Sequence, residues 1–149
     1  LKLSPPLRLE DDRTSLVSGI KSGLIDVIVS DHTPEDEEGK RLPFAQAATG
    51  AIGIETLLPL ALEMHHNESL DLTKIIETLT INPAKILKIN KGTIKKGSDA
   101  DICVFDLDKP WVVKGDDLKS KSKNTAIEGR KLQGKVFMTF LNGDLVFKS

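Results

Sequence analysis

The run Ile25-Asp26-Val27-Ile28-Val29-Ser30-Asp31-His32-Thr33-Pro34 decides how this sequence is read. Residues 25–29 are β-branched and apolar except for Asp26. A short, nearly continuous apolar run predicts a strand covered on both faces, as strands of a parallel sheet are. The polar residues that follow place Asp31 just beyond the strand's C-terminal end. In parallel α/β folds, ligands and catalytic groups gather at that end. An aspartate there also suits a turn or a helix N-cap, and position alone weighs the two readings evenly.

Upstream, Ser4-Pro5-Pro6 predicts an extended loop, because each proline fixes φ and restricts its predecessor. A helix is expected from about Glu10 to Ser22. Glu10, Asp11 and Asp12 suit its first turn, Leu16, Val17, Ile20 and Leu24 form an apolar stripe, and Gly23 suits its C-terminal cap. Downstream, residues 35–39 read as an acidic loop. Ile54, Leu57, Leu58, Ala61 and Leu62 follow helical spacing over residues 54–64, and Pro59 within them predicts a kink or a late start. A second helix is expected over 72–80 with Asp71 as N-cap. A third is expected over 83–87, with Asn82 as N-cap and Pro83 in first place.

From Gly92 the pattern changes to turn residues between short β patterns, at 101–105, 111–113, 135–141 and 145–147. Asn142-Gly143 between the last two is a hairpin signal. The chain thus divides into residues 1–91, with a strand and its helices, and residues 92–149, rich in β pattern. No internal repeat is visible.

The formal net charge is −1, so electrostatics make no case for nucleic acid or an anionic membrane as partner. The Lys-rich segment 114–131 also carries Asp116, Asp117 and Glu128 and reads as a solvated loop. A single cysteine, Cys103, excludes a disulfide framework within the chain and suggests a reducing, cytoplasmic compartment. No apolar run reaches the length of a membrane span. Cys103 and Trp111 lie in apolar strand patterns and are expected to pack, and His65-His66 to form a solvated helix end. A strand such as 25–29 needs parallel neighbours, and the first half of the chain offers none. Those neighbours are expected from residues before Leu1 or from another chain, which makes the chain the C-terminal portion of a larger α/β enzyme. A small independent α+β domain that pairs this strand with the later ones is the alternative of lower weight.

Ser4-Pro5-Pro6-Leu7-Arg8, Ser30-Asp31-His32-Thr33-Pro34, Gly53-Ile54-Glu55-Thr56-Leu57-Leu58-Pro59-Leu60 and Leu79-Thr80-Ile81-Asn82-Pro83-Ala84 occur in that order. Gly92-Thr93-Ile94-Lys95-Lys96-Gly97, Ala100-Asp101-Ile102, Trp111-Val112-Val113 and Ser122-Lys123-Asn124-Thr125 continue the series. Together they resemble the C-terminal part of the dihydroorotases, in the cyclic amidohydrolase superfamily. The resemblance implies a (β/α)8 barrel, TIM-like, whose last strand is residues 25–29. Residues 92–149 would then belong to a β-sandwich. It also implies reversible hydrolysis of dihydroorotate to N-carbamoyl-L-aspartate, in pyrimidine biosynthesis, at a mononuclear or binuclear zinc centre that holds the attacking water.

On that resemblance Asp31 is both a metal ligand and the catalytic proton shuttle. Such a carboxylate can take a proton during attack on the ring amide and hand it to the leaving nitrogen. The family's other ligands are a His-x-His pair, a carboxylated lysine and further histidines. They lie outside this chain, whose histidines are His32, His65 and His66. His32, next to Asp31 in an extended backbone, points away from it and reads as a supporting residue.

Ser4, Glu35, Thr49 and Gly50 correspond to the substrate-binding positions, and three departures fall among them. Ser4 replaces an asparagine, Glu35 a histidine that holds the substrate carboxylate, and Ala48-Thr49-Gly50 a Pro-Phe-Gly. A glutamate about 4 Å from a carboxylate is unfavourable by ~4 kcal/mol at an effective dielectric of ~20, roughly a thousandfold in binding. Glu35 must turn away, stay protonated, or belong to a protein that does not bind dihydroorotate in the usual way. The alternatives are a non-catalytic homologue that scaffolds aspartate transcarbamoylase and a related cyclic-amide hydrolase, such as a hydantoinase or allantoinase. Homodimers are a further partner expectation of the resemblance.

Overall fold

The computed structural model describes residues 2–67 and 69–149. Helix α1 (Glu10–Ser22) has the expected bounds. The Asp12 carboxylate accepts from the Leu9 N–H at 3.1 Å. Gly23, at φ 80°, ends the helix by donating to the Ile20 carbonyl at 3.1 Å.

Residues 25–30 follow with no strand partner among the described residues. The Ile28 N–H donates to the Thr78 carbonyl at 3.3 Å, and Asn82 Nδ2 to the Asp26 carbonyl at 2.9 Å. Ile25 and Ile28 pack on a core of Ile20, Ala61, Leu70 and Ile75, whereas Leu24 and Val29 are 84% and 71% exposed. The expected two-sided burial is therefore met on one side. A parallel ladder needs neighbouring strands, and the described residues supply none here.

The acidic stretch expected to be a loop forms a short helix instead, α2 (Glu37–Arg41). Asp36 caps it by accepting from the Gly39 N–H. Acidic residues at its start and Lys40 and Arg41 at its end complement the helix dipole. Of the two outcomes that Pro59 allowed, the late start is the observed one. Helix α3 (Leu57–His66) begins after Thr56, which puts Pro59 in the first turn, where no intrahelical donor is needed. Helix α4 (Leu72–Leu79) matches its expectation, although the Asp71 side chain makes no capping bond. Helix α5 (Ile81–Ile86) starts earlier than predicted because Thr80 takes the cap position. Asn82 therefore lies inside the first turn and its amide is free to tie α5 to Asp26.

The first two β patterns merge into one strand, β1 (Ile102–Val112). The residues between the two patterns form an irregularity within it: the register shifts between Asp106 and Pro110, and the Asp106 carboxylate accepts from the N–H groups of Asp108 and Lys109 at 2.9 and 3.1 Å. Strands β2 (Lys131–Leu141) and β3 (Asp144–Lys148) complete an antiparallel sheet of order β1-β2-β3. Asn142 and Gly143 join them at φ 52° and 90°, the two positive values that a type I′ turn requires. Cys103 is exposed rather than buried, because it lies on the edge strand β1, facing no second layer among the described residues. Partial shielding still pushes its thiol pKa up.

Helix α3 joins sheet and helices. A Cβ on Gly134 would lie 2.6 Å from Leu62 Cδ1, so β2 approaches the helix this closely only with glycine there. Trp111 donates from Nε1 to the Gly134 carbonyl at 3.0 Å. A second core holds Ile52, Val113, Leu118 and Leu132, with Leu60, Trp111 and Ile127 against it. Segment 114–131 is thus no solvated loop: Leu118 is buried, and Gly115 N–H donates to the Glu128 carboxylate at 2.8 Å. Nor is the end of α3 fully solvated, since His65 and His66 are half-buried with ring centroids 5.7 Å apart. Among the described residues, no helix is long and apolar enough to cross a membrane.

Candidate active site

Residues of both cores line a cleft of about 360 Å³, and Ser4, Asp31, Gly50, Gly53 and Thr56 supply its polar edge. Asp31 has φ 45°, a left-handed conformation that costs an L-residue roughly 1–2 kcal/mol and that aspartate tolerates better than most. Its carbonyl accepts from Thr33 Oγ1 at 3.0 Å. Its carboxylate has no hydrogen-bond partner among the described residues. Asp36 and Asp106 spend their carboxylates on nearby backbone N–H groups, whereas Asp71, at the N-cap of α4, does not. Asp31 is exposed and lines the cleft, with its carboxylate uncommitted among the described residues.

The turn that carries Asp31 is sewn to the loop 50–54. His32 Nδ1 accepts from the N–H groups of Gly53 and Ile54 at 3.1 and 3.3 Å, so its lone pair lies on Nδ1. The Thr33 N–H donates to the Ala51 carbonyl at 2.9 Å. Gly50, at φ 138°, abuts Thr33 closely: a Cβ there would lie 2.7 to 2.8 Å from the Thr33 side chain and carbonyl. The Gly50 N–H donates to the Lys2 carbonyl at 3.1 Å, which brings the Ser4 segment alongside.

Of the expected site residues, Ser4, Asp31 and Gly50 meet at one cleft. Thr49 and Glu35 do not line it. Glu35 is held by its backbone, its N–H donating to Asn124 Oδ1 at 3.3 Å and its carbonyl accepting from Ser122 Oγ. Glu35 is half-buried and is not among the residues that line the cleft.

Three further residues shape the site, and sequence reasoning assigned none of them this role. Asn124 bonds Glu35 and also donates to the Gly50 carbonyl at 3.4 Å, and its own carbonyl accepts from Ile52 N–H at 3.3 Å. The Glu55 carboxylate accepts from the N–H groups of Lys119 and Ser120, both at 3.0 Å. Lys40 Nζ donates to the carbonyls of Lys2, Ala48 and Gly50. Asn124 and Glu55 stood within motifs, but their partners are far away in sequence. Lys40 carried no signal beyond its place in a charged run.

Among the described residues, no three His, Cys, Asp or Glu side chains cluster as a metal site would need. Catalytic zinc uses three protein ligands. These residues could contribute one ligand, Asp31, and do not make a centre on their own.

The sequence profile described as the Amidohydrolase family matches residues 3–146. The chain is 46% identical over 148 residues to a dihydroorotase of Ehrlichia chaffeensis, covering 99% of this chain and 33% of that protein. It is 43% identical to a dihydroorotase of Aquifex aeolicus, covering 99% of this chain and 35% of the relative. It therefore spans about a third of the length of these curated relatives. Among solved structures, it superposes on a dihydropyrimidinase from Brevibacillus agri with TM-score 0.91 at 27% identity, covering 99% of this chain and 33% of that one. An L-hydantoinase from Arthrobacter aurescens matches with TM-score 0.91 at 33% identity, covering 99% and 34%.

Proposed function

The chain belongs to the amidohydrolase family, and from that premise we propose that it forms the end of the barrel and a β-sandwich segment of a dihydroorotase. The reaction is reversible hydrolysis of dihydroorotate to N-carbamoyl-L-aspartate, in pyrimidine biosynthesis. The observation that carries this reading is Asp31: an exposed residue at positive φ, beyond the largely apolar run 25–29, lining a cleft with Ser4 and Gly50. Backbone strain of this kind concentrates at functional sites. The curated relatives named dihydroorotase support the substrate.

Hydrolysis of a cyclic amide needs a proton removed from the attacking water and a proton delivered to the leaving ring nitrogen. A carboxylate placed at the cleft can do both in turn, an effect worth about 10²–10⁴ in rate. The stitched loop 50–54 keeps that carboxylate in place, so that little reorganisation is needed during reaction. Zinc, bound with Asp31 as one ligand and the others from outside this chain, would supply Lewis-acid polarisation of the amide and activation of the water.

The full-length protein should turn over dihydroorotate, and Asp31→Asn should lower kcat/KM by at least about a hundredfold while leaving the circular dichroism spectrum unchanged. Turnover by Asp31→Asn within tenfold of wild type would defeat the assignment. A second reading has its own support. Glu35 replaces the histidine expected to bind the substrate carboxylate, and the structural neighbours named hydantoinase and dihydropyrimidinase superpose closely. A cyclic amide without that carboxylate would then be the substrate. Assaying hydantoin and dihydrouracil beside dihydroorotate separates the two. Stoichiometric zinc with no turnover of any of them would support the non-catalytic reading, in which the protein scaffolds aspartate transcarbamoylase.

A further inference from the structure

We propose that Lys40 is a positioning residue for the cleft, holding the wall that carries Gly50 and the wall that carries Ser4 in fixed relation to Asp31. The ammonium donates to the Ala48 carbonyl at 2.9 Å, the Gly50 carbonyl at 2.8 Å and the Lys2 carbonyl at 3.2 Å. A lysine ammonium has three donors and no acceptor, so these bonds use its full capacity. No carboxylate is among its partners, which distinguishes it from the surface pairs Arg13–Glu10 and Arg41–Glu37. Bonds from a charged donor are the stronger kind, and this donor is half-buried, where solvent competes less.

The three carbonyls belong to two stretches of chain, residue 2 and residues 48–50, which are already joined because the Gly50 N–H donates to the Lys2 carbonyl. Lys40 closes a ring around that contact. Its own backbone is anchored in α2, which Asp36 caps. Gly50 lines the cleft, and the next residue, Ala51, accepts from Thr33 N–H two residues after Asp31. Loss of the ammonium would free the 48–50 wall from the Ser4 segment. Asp31 itself would keep its own ties, since the run before it is held by Thr78 and Asn82. Substrate binding would therefore suffer more than proton transfer.

One arm of the test rests on the hydrolase reading above, and the other does not. In the full-length enzyme, Lys40→Met should raise KM on the order of tenfold, the factor that about 1.4 kcal/mol corresponds to, with a smaller loss in kcat. Lys40→Arg, which keeps a charged multiple donor, should recover most of that KM. A variant that is merely less stable lowers the amount of active enzyme, and with it apparent kcat, but leaves KM alone. Hydrogen exchange followed by mass spectrometry should show residues 45–52 exchanging faster in Lys40→Met, with residues 57–66 as in wild type. Unchanged KM, or unchanged exchange over 45–52, would overturn the proposal. Where wild-type protein turns over no cyclic amide, the hydrolase reading fails by itself, and the exchange measurement alone decides on Lys40.

Discussion

Replacing Gly50 with alanine tests how the cleft is built. The position has φ 138°, and an added Cβ would sit 2.7 Å from Thr33 Cγ2, 2.8 Å from Thr33 Cβ and 2.8 Å from the Thr33 carbonyl oxygen. The backbone conformation alone costs a non-glycine residue about 1–3 kcal/mol. Pushing the neighbouring segment aside adds about 1–3 kcal/mol, as other overpacking substitutions do. A total of about 2–6 kcal/mol is a large share of the ~5–15 kcal/mol that stabilises a typical protein. In a domain of 150–250 residues it corresponds to a fall of roughly 5–20 °C in Tm. The assay is thermal unfolding of the full-length protein, with turnover measured well below Tm. Thr33→Ser makes a useful companion. It removes only Cγ2, so two of the three contacts and the strained φ remain, and the double variant should recover less than half of the loss. A Gly50→Ala protein that melts with wild type would show that neither the contact nor the φ constrains the loop, and full restoration by Thr33→Ser would show that the methyl contact alone, not the strained φ or the other two contacts, sets the cost.

Leu62 is fully buried where α3 meets β2. Leu62→Ala should destabilise by about 2–5 kcal/mol in chemical denaturation, and a loss under 1 kcal/mol would mean that the two elements do not pack as described. Asp101 tests electrostatics: the Lys91 ammonium, and after it the Asn142 N–H, hold its carboxyl below the usual carboxylate range. A depressed carboxyl adds stability above its unfolded pKa and loses it as pH falls through the folded value. The stability gap between wild type and Asp101→Asn should therefore be open near neutral pH and close in acid, read from denaturation midpoints at low salt. A gap that widens in acid contradicts this assignment.

Local chemistry made much of the chain legible. The bounds of α1 follow from its acidic first turn, its apolar stripe and Gly23, all of which act within a few residues. The β2–β3 turn follows likewise from Asn142-Gly143. The misses have an equally local cause, in that competing signals overlapped. Asp36 followed by two acidic residues and then Lys40 and Arg41 reads as a charged loop, yet also as a capped, dipole-matched helix, and the helix formed. Asp106 to Lys109 fell between two separate β patterns, but strand pairing on either side joined them through an irregularity within β1. Cys103 was expected inside because its neighbours are apolar, and alternation along a strand could not show which face would lack a covering layer.

For the site, the position of Asp31 at the end of an apolar run made it a candidate evenly weighed against a turn residue, and the ordered motifs around it tipped the balance. The sequence also marked Ser4 and Gly50 through ordered motifs. Which residues share a cleft was decided only by the tertiary structure. Hydrogen bonds between residues far apart in sequence depend on how loops are brought together, and no spacing rule encodes them. They took Glu35 away from the cleft through Ser122 and Asn124 and brought Lys40 in to hold its walls. They also left the Asp31 carboxylate without a hydrogen-bond partner among the described residues, at a residue that lines the cleft.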